Sequence, residues 1–237
     1  MNVLYALEKY VSLRFPQAQL EEIRKGLENK IDVDVYAKPE FNELQMEQIR
    51  LGLQDNIDVK EYATPKYNHL QMEQIRVGLI ERLDINKYNH PQFCWEQMEE
   101  IRFGLEKHLD VSIYAKPEFN WKQMQQIKLG LANNLDVSIY AKLEFNFDQM
   151  KQIKLGLEKR LDVNYYAKSE FDFLQMEQIK FGLENDVNVN IYAKLEFNGW
   201  QMEQIRLGLE NNLDVSKYAN PSYTLKQMTK IMQTLSP

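Results

Sequence analysis

The chain has 237 residues, enough for a sizeable buried core, and its 27% charged and 44% hydrophobic residues are the balance of a soluble folded protein. With 35 acidic against 29 basic residues the net charge is -6, which excludes attachment to nucleic acid or anionic lipid by bulk charge alone but leaves room for a local basic stripe. Its one cysteine, Cys94, excludes an intrachain disulfide framework, and no apolar run approaches the roughly 20 residues that span a bilayer.

Residues 1–18, opening MNVLYALEKYVSLRFP, stand outside the pattern that follows and are expected to cap it. They carry no basic head before an apolar core and no small-residue cleavage site, so a cytoplasmic location is expected. From residue 19 to 224 the sequence repeats. Gly26, Gly52, Gly78, Gly104, Gly130, Gly156, Gly182 and Gly208 fall every 26 residues, with no insertion or deletion between them. Seven residues before each stands a glutamine, from Gln19 to Gln201, and Gln227 opens a last copy in which Thr234 takes the glycine slot. Ile23 to Ile231, Leu27 to Leu235 and Tyr36 to Tyr218 keep the same register.

Residues 119–144 serve as the type unit, FNWKQMQQIKLGLANNLDVSIYAKLE. Asn120 and Gln123 have the spacing of a capping box, and Phe119 and Met124 that of a hydrophobic staple, so a helix starts here. Met124, Ile127, Leu131 and Leu135 continue as one apolar stripe. A Schellman cap at Gly130 would want an apolar residue at Gln125 or Gln126, which are polar. The helix is therefore expected to run on to about Asn133, with Asn134 in the left-handed cap. Gly130 is then an interior helix glycine, costing about 1 kcal/mol against alanine, and a close-packed neighbouring backbone is expected at each such site.

Asp136 reads as a second N-cap, followed by a short helix of about six residues over VSIYAK, with Val137, Tyr140 and Ala141 as its buried edge. Pro39, Pro65, Pro91, Pro117 and Pro221 follow it in five copies and disfavour helix in the residue before them. Each unit is thus a long helix of about 14 residues and a short one, neither able to bury both faces alone. The expected fold class is all-α: an α-solenoid of about nine 26-residue helical-hairpin repeats with terminal caps, residues 225–237 forming the last. At 8–10 Å between neighbouring helices it would be a curved rod on the order of 80 Å long. An apolar column, Leu51, Val77, Phe103, Leu129, Leu155, Phe181 and Leu207, turns polar at Lys25 and Gln233, as capped ends would.

The units resemble the tandem QMEQIRLGLE…LDVSIYAKPEFNW repeats of poorly characterised bacterial proteins, often encoded by Firmicutes, their phages and other mobile elements. The resemblance covers residues 19–235. It implies a repeat architecture and an interaction role, for instance inhibition of a host defence protein, and it carries no catalytic residues.

The candidate partner-binding residues are a basic column, Arg50, Arg76, Arg102, Lys128, Lys154, Lys180 and Arg206, with Arg24 before them. A line of cations could follow a phosphate backbone or an acidic groove. It could instead flank the core as ion-pair partners of Asp110 or Glu118, with the aliphatic stems packed inward, the commoner arrangement for such a column. The apolar column reads as a second packing face or an exposed ridge, and the tyrosine column as core with hydrogen-bonded hydroxyls. Residues that change between copies mark the solvent side: Glu81, Lys107, Asn133 and Lys159 in one column, Arg82, His108, Asn134 and Arg160 in another, His69, Trp95, Trp121, Phe147 and Gly199 in a third.

Chemistry is thinly represented. His69, His90 and His108 fall in different columns, and Pro91 breaks the helix that would align His90 with Cys94 as metal ligands. There is no phosphate loop and no nucleophilic triad, so an enzyme, a metal site and a cofactor are not expected. Two functions follow: a scaffold that binds a protein, expected to be a monomer without membrane contact, or a sequence-tolerant nucleic-acid binder that uses the basic column.

Overall fold

The computed structural model describes residues 3–235 and is all-α, an α-solenoid built from repeated helical units with no strand among the described residues. The helices are α1 (Val3–Ser12), α2 (Gln17–Glu28), α3 (Glu43–Gln54), α4 (His69–Ile80), α5 (Trp95–Glu106), α6 (Trp121–Ala132), α7 (Phe147–Glu158), α8 (Phe173–Glu184), α9 (Gly199–Glu210) and α10 (Leu225–Leu235). A 3-10 turn of three residues follows each of α2 to α9. The chain forms two compact units, one up to Trp121 and one from Lys122. In the first, α1 packs on α2 and each helix on the next through α5; in the second, α7 packs on α8, α8 on α9 and α9 on α10.

The copy at residues 145–170 shows why this sequence makes these elements. Asn146 accepts from the Gln149 N–H at 3.0 Å, and Gln149 accepts from the Asn146 N–H at 2.8 Å, so the reciprocal cap satisfies two otherwise orphaned donors. Phe145 and Met150, on either side of that cap, are both buried, as are Ile153 and, from the turn, Val163 and Tyr166. Burying each such side chain contributes on the order of 2 kcal/mol. The helix ends at Glu158, and Arg160 turns left-handed at φ 58°. The Arg160 N–H then donates to Leu157 O at 3.0 Å and the Leu161 N–H to Gly156 O at 3.0 Å, the paired bonds of a Schellman motif.

In the type unit, Asn134 is left-handed at φ 56° and Gly130 is interior to the helix, as its polar flank implied. The helix has 12 residues where about 14 were expected. The element after it is shorter still. It is a three-residue 3-10 turn, Val137–Ile139, opened by Asp136 accepting from the Ser138 N–H at 3.1 Å. The chain leaves helical geometry at Tyr140, with φ -126° and ψ -9°, and the Lys142 N–H folds back to Tyr140 O at 2.7 Å. A six-residue helix would carry that ring away from α6. The break delivers it there.

Candidate functional site

What the interior glycines accommodate is a side chain, not the neighbouring backbone expected from the sequence. A Cβ on Gly156 would lie 1.8 Å from the Tyr166 Oη and 3.0 Å from Val163 Cγ1, and the other seven glycines of the ladder repeat this arrangement. The Tyr166 hydroxyl passes through the notch and donates to the Gln152 carbonyl at 3.2 Å. Tyr36, Tyr62, Tyr88, Tyr114, Tyr140, Tyr192 and Tyr218 donate to the corresponding carbonyls at 2.9–3.2 Å. All eight are fully buried. Desolvation pushes each phenol well above its usual range, Tyr218 to about 12.

The repeated glutamines have two functions, of which the capping box is the one legible from spacing. While the Gln149 Oε1 caps its own helix, its Nε2 donates to Phe171 O at 2.7 Å and Ser169 O at 3.0 Å in the next copy. Gln19, Gln45, Gln71, Gln97, Gln123, Gln175 and Gln201 reach the carbonyl 22 residues ahead at 2.6–2.8 Å. Gln227 keeps its cap with Thr224 but is exposed.

The basic column is drawn into the stack by the same logic. Arg50, Arg102, Lys128, Lys154 and Lys180 are only 5–9% exposed, while Arg76 and Arg206 are half-buried. Each arginine from Arg50 onward reaches back 28 residues: Arg50 Nε donates to Glu22 at 2.8 Å, Arg76 to Gln48 at 3.1 Å, Arg102 to Gln74 at 2.9 Å and Arg206 to Gln178 at 3.0 Å. Their acidic partners are also one turn ahead on the same helix. Arg102 pairs with Glu106, Lys154 with Glu158 at 2.9 Å, and Arg206 with Glu210 at 2.6 Å. Asp110 and Glu118, the partners expected from the sequence, are exposed, and the acids that pair with Arg102, Lys154 and Arg206 are Glu106, Glu158 and Glu210 instead. Only Arg24, paired with Glu21 and Glu28, keeps more than a third of its side chain exposed. Lys180 is too short to reproduce the arginine contact. It lies 4.0 Å from Glu184, burial lowers its pKa against the pull of that carboxylate, and the buried Gln152 Oε1 has no hydrogen-bond partner among the described residues.

The apolar column is neither a sealed packing face nor an open ridge. Leu51, Val77, Phe103, Leu155, Phe181 and Leu207 are half-buried and Leu129 is exposed. Its aromatic members support the cations: the Arg102 guanidinium lies 4.5 Å from the Phe103 ring centre, and Phe181 receives Lys180 at 4.8 Å and Arg206 at 5.5 Å. At its ends Lys25 is half-buried against Glu22 at 2.6 Å, and Gln233 is exposed.

What remains outside is the variable set. Glu81, Lys107, Asn133 and Lys159 are exposed, as are Arg82, His108, Asn134 and Arg160 at the left-handed position. His69, Trp95, Trp121 and Phe147 are half-exposed at helix starts. Gly199 departs from them because a Cβ there would meet Leu174 Cβ at 2.6 Å, and the tryptophan of that copy moves one position on, to the exposed Trp200. His90 and Cys94 are both exposed, Cys94 gives only its N–H to the Gln97 cap at 2.8 Å, and partial burial raises its thiol pKa. Among the described residues no group of three or more His, Cys, Asp or Glu side chains is arranged to hold a metal ion, and no helix is long and apolar enough to cross a membrane.

One buried lattice of glycine, tyrosine, glutamine and cation, identical in kind from copy to copy, with its variation outside, defines a helical repeat protein of the α-solenoid class. Comparison with family models, with curated proteins and with solved structures finds no match to this chain.

Proposed function

We propose that the chain is a non-enzymatic repeat scaffold whose exposed helix faces bind a protein. The observation that carries this reading is the division between copies: buried positions repeat the same residue types, while the exposed columns at helix starts and ends change from copy to copy. Among those changing residues the long side chains of Arg82 and Arg160 sit on left-handed backbone at φ 58–59°, where asparagine, aspartate and histidine are the favoured non-glycine types. Glycine or asparagine would take that conformation at a saving of about 1 kcal/mol. Their retention favours a surface whose side chains matter over one that only has to fold. Burial and pairing of the basic column favour a protein over nucleic acid, since a phosphate track needs cations that face solvent. The resemblance to phage and mobile-element repeats directs the search to bacterial defence proteins.

The test is affinity purification from a bacterial host with the full chain, run beside a levelled chain in which Arg82, His108, Arg160 and Asp186 become asparagine and Trp95, Phe147 and Trp200 become serine. A partner identified by mass spectrometry on the first and lost from the second, at unchanged melting temperature, is the expected result. Equal retention by both, or RNA held on a filter at low salt and released as salt rises, overturns the reading.

A further inference from the structure

Within the first unit, the outward face of α3–α5 has a defined chemistry, and we propose that it binds a cationic amphipathic helix laid across the three. The proposal rests on the protein-binding reading and names the partner's character. The charge of the chain is unevenly placed: residues 1–121 contain 21 acidic and 15 basic residues, residues 122–237 contain 14 of each, so the whole excess of -6 belongs to the first unit. On α3, α4 and α5 the equivalent residues Glu47, Glu73 and Glu99 form a row, half-exposed and without an ion pair or hydrogen bond among the described residues. The base three positions on could pair with each. Instead Arg50, Arg76 and Arg102 turn back to Glu22, Gln48 and Gln74 of the preceding helix, which leaves the acids uncompensated.

Four residues along each helix, on the same side, lies the half-buried apolar row Leu51, Val77 and Phe103. Leu44 and Ile80 extend this face and are 41% and 47% exposed. An uncompensated acidic row bordered by apolar side chains is complementary to a helix with cations down its centre and leucine-like residues beside them. The spacing also fits. Packed helices lie about 8–10 Å apart, and one residue in every seven of an α-helix recurs at about 10.5 Å. The equivalent row in the second unit is interrupted by Lys151, so the feature belongs to α3–α5.

The probe is a fluorescent synthetic helix with three lysines at seven-residue intervals, each flanked by leucines, beside a scrambled peptide of the same composition, titrated into the full chain by anisotropy. The matched peptide is expected to bind at least about tenfold more tightly than the scrambled one. Glu47→Lys/Glu73→Lys/Glu99→Lys weakens it at least about tenfold, from lost pairing and new repulsion. Leu44→Ser/Ile80→Ser weakens it severalfold, and Glu177→Lys/Glu203→Lys in the second unit leaves it unchanged, all with wild-type melting. Equal binding of matched and scrambled peptides, or full binding by the triple variant, overturns the proposal. Loss of the natural partner from the levelled chain, with retention by the triple variant, overturns it too while leaving the scaffold reading standing.

Discussion

Replacing Gly156 by alanine tests the packing at its tightest point. In an exposed helix this change stabilises by about 1 kcal/mol. Here the new methyl would stand 1.8 Å from the Tyr166 Oη, whereas ordinary contact begins near 3.4 Å, so the ring must retreat by roughly 1.5 Å inside a fully buried site. Overpacking of that kind costs about 1–3 kcal/mol. Withdrawal of the hydroxyl from the Gln152 carbonyl costs about 1 kcal/mol more. Set against the propensity gain, Gly156→Ala should destabilise by about 1–3 kcal/mol. Tyr166→Phe removes the obstructing atom and leaves Cζ at 3.1 Å and Val163 Cγ1 at 3.0 Å, gaps that shifts of a few tenths of an ångström relieve. In that background Gly156→Ala should be close to neutral. The double-mutant coupling is then about 2 kcal/mol, read from urea midpoints of the full chain and from amide exchange along α7. A Gly156→Ala variant more stable than wild type, or one costing the same in both backgrounds, refutes the hydroxyl notch.

Gln149→Ala removes the side-chain half of its capping box and two bonds to the next copy, leaving the Asn146 N–H without its acceptor and the Phe171 and Ser169 carbonyls short of a donor, and should cost about 2–4 kcal/mol in thermal melts. Gln227→Ala, which removes only a cap, should cost about 1 kcal/mol or less; similar losses for the two would deny the bridging role. Lys180→Arg should stabilise by about 1 kcal/mol, because a guanidinium can reach the unpartnered Gln152 Oε1 across Phe181 as Arg102 reaches Gln74 across Phe103; amide exchange at α7 and α8 would register the gain. The chain should also unfold cooperatively in alkali. The buried phenols titrate above their unfolded value near 10, so their stabilisation is complete below about pH 10 and is lost as pH rises towards the folded pKa, at about 1.4 kcal/mol per tyrosine per pH unit. Tyrosinate absorbance should rise together with loss of helical circular dichroism, and phenols ionising within an intact fold would contradict the burial.

The repeat, the fold class, the capping glutamine and the left-handed Asn134 were legible because each depends on residues close in sequence. The polar flank of Gly130 was enough to place that glycine inside its helix. What spacing did not reveal was its counterpart, although a signal existed: a tyrosine follows each of the eight glycines at ten residues. VSIYAK reads as a short helix because Asp136 caps it and its apolar residues fall at helical spacing, whereas Tyr140 leaves helical geometry and its hydroxyl returns to the Gln126 carbonyl. A single helical projection leaves Arg102 and its equivalents either facing a partner or flanking the core as ion-pair partners. Their hydrogen-bond acceptors lie 28 residues earlier, on a neighbour that one helix cannot show. The acidic excess of the first unit was hidden by counting charge over the whole chain.

The glutamine bridge also bears on how such a gene can change. Gln149 grips its successor only through the main-chain oxygens of Phe171 and Ser169, atoms that every copy presents at the same place. Excision or duplication of a full 26-residue block by recombination would return each amide to an acceptor identical to the one it lost. A frame slipped by a single codon would turn the first residue of every later copy away from its donor, about 100° around the helix axis. Length in this architecture is therefore quantised: evolution can add or subtract whole storeys, and the chemistry of the joint forbids fractions.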